Sequence, residues 1–103
     1  MAMKITRIWH GITRAADADE YVRYIENTGI KEYRSIKGNL SARMLRSFDG
    51  DVCHFLTVTE WDSFESIKAF AGEDYQKARY YPEDQRFLLG FEENVTHYET
   101  FEY

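Results

Sequence analysis

Three histidines, two tryptophans and eight tyrosines are the residues of this 103-residue chain best equipped for chemistry. His10, His54 and His97 each sit among alternating apolar residues, the pattern of half-buried strands. If those strands share one sheet, all three imidazoles can approach the same end of it. They would then form a proton relay or hold a metal. The other reading is three separate histidines at a rim, hydrogen-bonded to backbone or water. The chain contains no HxH or HExxH spacing, so no metal site is expected.

Trp61 stands at the seam between VCHFLTVTE and DSFESIKAFAG, where an indole can wall a pocket or pin a helix to a sheet. Trp9 and His10 are direct neighbours in a strand and must point to opposite faces. A pocket between sheet and helices would be lined by Trp9, and His10 would face the other side. Tyr75, Tyr80 and Tyr81 gather just before Pro82, the only proline. Histidine, tyrosine and arginine suit proton transfer and hydrogen bonding to a substrate oxygen. Surface or interface tyrosines with wet hydroxyls are the plainer alternative. Cys53 faces away from His54, which removes a Cys-His nucleophilic pair, and Asp84 and Arg86 near the last turn are expected to cap and be solvated rather than catalyse.

Composition narrows the classes further. Hydrophobic residues make up 44% of the chain and aromatic residues 17%, enough for one folded domain over residues 1–103. So many rings exceed what a small core can hide, and a ligand cavity or subunit interface would take the rest. The net charge of -5, from 18 acids and 13 bases, disfavours nucleic acid and anionic membrane as partners. No apolar run approaches membrane-spanning length, and MAMKITRIWH lacks the apolar core of a signal peptide. One cysteine suits a reducing compartment, so a cytoplasmic location is expected.

The elements that must position these residues read as β-α-β-β-α-β. Lys4 to Thr13 is the first strand. Asp17 opens a helix with Glu20 at capping-box spacing, and Gly29 can end it. Leu40 to Phe48 and Val52 to Glu60 form a hairpin across Asp49-Gly50. Asp62 can cap the second helix, which runs from about Ser63 to Ala71 and resumes over Tyr75 to Tyr80. Another helical turn covers Glu83 to Leu89, and Asn94 to Glu102 is the fourth strand. This is the ferredoxin-like α+β arrangement, an antiparallel four-stranded sheet with both helices on one face. The predicted strand order is four-one-three-two. Ile8, Ile12, Leu56, Val58, Val95 and Phe101 would make the other face apolar, which predicts a homodimer closed as an α+β barrel.

The element order, the TVTEW strand end, the WDS-x-E-x-x-x-x-F stretch, IWHG, the Gly38-Asn39 pair and VTHYE together resemble the antibiotic biosynthesis monooxygenase domain family. That resemblance covers essentially the whole chain and implies a dimeric α+β barrel. Some members of the family are cofactor-independent oxygenases of aromatic polyketides, and others degrade haem. The haem-degrading branch uses an Asn, a Trp and a His. Here Trp9 or His10 stands on the first strand, Phe70 at the Trp-like position and Tyr80 near the His-like one. The polyketide oxygenases use an Asn, a Trp, a Tyr and an Arg near the substrate. Trp61 matches the Trp, and Tyr75, Tyr80 and Arg86 are of the remaining types.

The resemblance implies a monooxygenase acting without a cofactor on a small aromatic or quinone-like compound. His10 and Tyr80 are the expected proton-transfer groups, with Trp9, Trp61, Phe70, Tyr75 and Arg86 around the substrate. A non-catalytic dimeric binding module and a metal- or haem-binding protein are the alternatives.

Overall fold

Strand β1 (Lys4–Arg14) sets the architecture, because its side chains alternate without a break between a buried face and a half-covered one. The computed structural model describes residues 4–103. Residues 1–3, the first of the MAMKITRIWH stretch, lie outside them. A short 3-10 turn (Ala15–Asp17) leads into α1 (Ala18–Ile25), a π-helical segment (Glu26–Ile30) and α2 (Lys31–Ser35). Strands β2 (Asn39–Asp49) and β3 (Val52–Trp61) follow, then α3 (Phe64–Ala71), α4 (Asp84–Phe87), β4 (Leu88–Phe91) and β5 (Thr96–Thr100).

The fold is α+β, with one antiparallel sheet and helices on one face. The order β2-β3-β1 continues into β4 and β5, which both pair with β1. The expected fourth strand, Asn94 to Glu102, is β5, and β4 is an additional strand that begins at Leu88 and Leu89, where the expected helical turn over Glu83 to Leu89 would have continued. Residues 93–95 leave β1 because the loop before α4 takes their backbone: Ala78 N–H donates to Glu93 O and Val95 N–H to Gln76 O, both at 2.8 Å. The same pairing overturns the helix expected over Tyr75 to Tyr80. Gly72, at φ 83°, ends α3, and the chain then runs as turns with a bridge between Lys77 and Asn94.

Local signals resolve differently at the helix starts. Ser63, not Asp62, caps α3, with Oγ accepting from Ser66 N–H at 3.3 Å. Asp62 instead accepts from the hydroxyls of Ser63 and Ser66. Asp17 makes no side-chain cap and pairs with Arg14 at 3.6 Å. Gly29 does not end the first helix, because the π segment carries the chain through it into α2. The Asp49-Gly50 turn forms as expected, with Gly50 at φ 58° and Asp49 opposite Val52.

The core lies between sheet and helices. Trp9, Tyr21, Ile25, Cys53, Phe55 and Phe87 make one cluster. Ile5, Tyr33, Trp61, Ile67 and Phe70 make the other. Trp61 is 0% exposed, with its ring stacked on Phe70 and its Nε1–H donating to Thr59 Oγ1 at 2.8 Å.

The uncovered face carries Ile8, Ile12, Leu56 and Val58, as expected from parity. Leu45, opposite Leu56, and Tyr98, opposite Thr6, extend it and are 49% and 50% exposed. Two expected members lie elsewhere. Val95 is buried in the core, since its segment turns inward, and Phe101 lies past the end of β5 and is exposed. His97 opposes Arg7 and so shares the helix-covered face, away from His10 and His54. Its Nε2 is buried without a partner.

Trp61→Ala is expected to lower unfolding stability by about 3–5 kcal/mol, read from a urea midpoint, because it leaves a ring-sized cavity. Burial, helped by Arg7, holds the His97 imidazole down to about 4. The native ring thus stays neutral where the unfolded one binds a proton. Stability from this site is full above the unfolded value near 6.5 and declines as pH falls from there toward 4. The loss is roughly 1–2 kcal/mol, since solvent reaches part of the ring. In His97→Gln the melting temperature should fall less over that window.

Candidate functional site

Parity on β1 sends Arg7 and Trp9 toward the helices, and both line a small cavity there. Helix α1 adds Tyr21 and Ile25, the π segment Gly29, and α2 Tyr33. The loop before α4 adds Arg79, Tyr80 and Tyr81, and α4 itself Asp84. The free volume inside is about 20 Å³, room for a single water-sized oxygen.

The polar groups of this cavity divide into satisfied and unsatisfied. Trp9 Nε1–H donates to Tyr80 Oη at 2.8 Å, and Tyr80 Oη donates to Glu92 O. Tyr81 Oη donates to Glu32, which also pairs with Arg79 at 3.1 Å. Arg79 Nη1 donates to Phe70 O at 2.9 Å. These contacts tie the loop before α4 to α2 and α3. Burial raises the proton affinity of the Tyr21, Tyr33, Tyr80 and Tyr81 hydroxyls, so they stay neutral donors at ordinary pH.

Arg7 and Asp84 are each only 3% exposed. Arg7 Nη2 reaches Lys77 O at 3.4 Å, its guanidinium lies 5.3 Å from the Phe70 ring centre, and its Nε has no partner. Asp84 Oδ2 accepts from Tyr81 N–H, and its Oδ1 has no partner. Burial raises the Asp84 carboxyl above the usual carboxylate range. A carboxylate of raised proton affinity is a stronger base, the property a general base needs.

A second, open groove of about 550 Å³ lies beside the cavity, lined by Pro82, Gln85, Leu88 and Phe91. Tyr80, Tyr81 and Asp84 belong to both walls.

Of the residues expected at a site, the structure brings Trp9 and Tyr80 together at this cavity. Trp61 and Phe70 lie in the core beneath it and do not line it, because Trp61 packs edge-on to Tyr33 and flat on Phe70. Tyr75 lines a different hollow with Phe64 and His97, since the loop after Gly72 is not helical. Arg86 is exposed and pairs with Glu20 and Glu83.

His10 lies on the uncovered face, where its Nε2 is 3.1 Å from His54 Nδ1 and its Nδ1 3.3 Å from Glu92. It cannot exchange a proton directly with a molecule on the helix side. The two rings stack at 5.3 Å, and His97 is on the opposite face, so the three histidines do not converge. Among the described residues, no group of three or more His, Cys, Asp or Glu is arranged to hold a metal. No described helix is long and apolar enough to cross a membrane.

Sequence reasoning missed Arg7, Tyr33 and Arg79 as site residues, and it read Asp84 as a capping, solvated residue, whereas docking of α4 leaves it 3% exposed. Arg7 carried a legible signal: a charged residue between Ile5 and Trp9 on one parity of a strand. Asp84 carried none, since its burial depends on how α4 docks.

No protein-family model and no curated protein matches the chain. Solved structures do match over nearly its whole length. A protein from Shewanella oneidensis superposes with a TM-score of 0.72 at 11% identity, over 97% of this chain and 93% of that one. A candidate antibiotic biosynthesis monooxygenase from Bacillus cereus gives 0.67 at 10% identity, over 98% and 96%. A dimeric ferredoxin-like protein from an uncultured marine organism gives 0.64 at 19% identity, over 98% of both. At such identities the likeness speaks for the fold alone. The backbone laid out by β1, its flanking strands and the one-sided helices is thus the ferredoxin-like α+β fold shared with antibiotic biosynthesis monooxygenase-like proteins.

Proposed function

We propose that this protein is a cofactor-independent monooxygenase of small aromatic or quinone-like compounds, working as a homodimer. One observation carries the reading: Asp84, buried and with an unpartnered Oδ1, borders both the inner cavity and a groove of about 550 Å³. That volume is typical of small-molecule sites. Leu88, Phe91 and Pro82 give it apolar walls for a flat ring.

The chemistry begins with a proton. Asp84 takes one from the enol hydroxyl of the substrate, the tautomer of a ring methylene conjugated with a carbonyl across the ring, and leaves an enolate with carbanion character. The carbanion passes an electron to dioxygen, and the two radicals join as a peroxide. Asp84 returns its proton to the peroxide, which then loses water and leaves a new carbonyl. One oxygen atom enters the product. The other departs as water with the two hydrogens of the oxidised carbon. Tyr80 and Tyr81 wall the groove, their hydroxyls held by Glu92 O and Glu32, and the buried wall limits water around the base.

The inner cavity itself favours a second reading. About 20 Å³ admits no two-ring compound, which suits a binding or interaction module without turnover. The dimer rests on the uncovered face, where Ile8, Ile12, Leu45, Leu56, Val58, Leu89 and Tyr98 present apolar surface to a second copy. A dimeric ferredoxin-like neighbour supports it.

Purified protein incubated with an anthrone-type substrate under oxygen should consume dioxygen and form the quinone. Asp84→Asn is expected to lower that rate by about 10²–10⁴-fold, the usual contribution of a positioned base. Equal rates in the two proteins would leave the binding reading standing. Sedimentation at micromolar concentration should give twice the mass of one chain. Leu56→Asp should release monomers, and a wild-type monomer would remove the barrel.

A further inference from the structure

We infer that the inner cavity is a one-oxygen subsite for a phenol or enol, in which Arg7 holds the anion formed when Asp84 takes the proton. This rests on the oxygenase reading and names its substrate class. Two unpartnered polar atoms, Arg7 Nε and Asp84 Oδ1, belong to residues that line the same small space. No carboxylate among the described residues lies within ion-pair distance of Arg7. A buried charge without a counter-charge in contact costs several kcal/mol. Arg79 lines the same cavity but is already committed to Glu32 and to the Phe70 carbonyl. Arg7 meets the Lys77 carbonyl, the Phe70 face and the Tyr33 hydroxyl, and among the described residues it has no counter-charge within ion-pair distance.

The arrangement fits a weak acid better than a permanent anion. A phenol placed between the two groups moves its proton from oxygen to Asp84 Oδ1, and no electron is transferred. The site then holds one cation and one anion, as it did before, so no new net charge arises in a low-dielectric interior. Size selects among oxygen acids. About 20 Å³ suits the single oxygen atom that a phenol or enol presents better than the two of a carboxylate. The ring then lies in the outer groove, against Pro82, Leu88 and Phe91. Tyr80, Tyr81 and Asp84 form the border that both parts of such a ligand would touch.

The test uses 4-nitrophenol, whose phenolate absorbs in the visible and which the proposed oxygenation cannot consume. At a pH below its own ionisation range, wild-type protein should raise its phenolate fraction about tenfold, a shift of about one pH unit. Arg7→Lys should keep part of the band. Arg7→Gln should lose it while still quenching tryptophan fluorescence through the groove. Benzoate should compete poorly. The subsite is overturned if wild-type protein leaves the probe unbound, binds it as the neutral phenol, or shows the same band in Arg7→Gln. The wild-type spectrum decides the matter even if the Gln variant melts early. Oxygen uptake with an anthrone and no phenolate band would sink the subsite and spare the oxygenase reading. A phenolate band without oxygen uptake would do the reverse.

Discussion

The alternation of β1 is the constraint on which everything else turns. The strand is paired on both sides, with β3 from Ile5 to Arg14 and with β5 and then β4 along the other edge. Its register leaves no freedom about which residues face the helices, because a slip of one residue would exchange the two faces completely. One of the inward residues is Arg7, a full charge in a layer otherwise built from Ile5, Trp9 and Thr13. Such a residue weakens a core unless something meets it. The surrounding architecture supplies partial compensation: a carbonyl from the loop before α4, the face of Phe70, and the Tyr33 hydroxyl beside it. Each of these is itself held by another contact, so the charge, the aromatic layer and the loop form one unit.

Aromatic packing explains how a loop without regular structure can be a wall. Tyr80 meets Trp9 and Phe91 edge-on, and its hydroxyl links the indole to the Glu92 backbone. Tyr81 and Arg79 are both fastened to Glu32. Trp61, with Phe70 and Tyr33, supports the layer from below. The tryptophan that marks the sheet-helix seam in sequence is therefore a foundation, and the tryptophan on the first strand is the one at the cavity.

What could be read from the residues followed from short-range physics. Period-two patterns placed β1 and β3 within a residue or two of their true bounds, and Asp-Gly placed the hairpin turn. The same patterns put Ile8, Ile12, Leu56 and Val58 on the open face and separated Trp9 from His10. Where long-range contacts decide, the residues misled. Tyr75 to Tyr80 has helical spacing, yet its backbone is recruited by residues 93–95. Val95 and His97 sit on faces set by the break between β4 and β5, which no local pattern announces. At the site, Arg7 was legible as a charge on a buried parity, whereas Asp84 became a site residue only through docking of a four-residue helix.

The π-helical stretch from Glu26 to Ile30 holds one more residue per turn than the helices on either side of it. That surplus swings the following segment around its axis by about 100° relative to an unbroken α-helix. Tyr33 owes its heading to this rotation, which brings its ring against Trp61 and Phe70 and beside the guanidinium on the central strand. Chain length between residues 26 and 30 is thus a determinant of the site in its own right. Shortening it by a single peptide unit would disturb the aromatic layer more than most exchanges of one side chain for another.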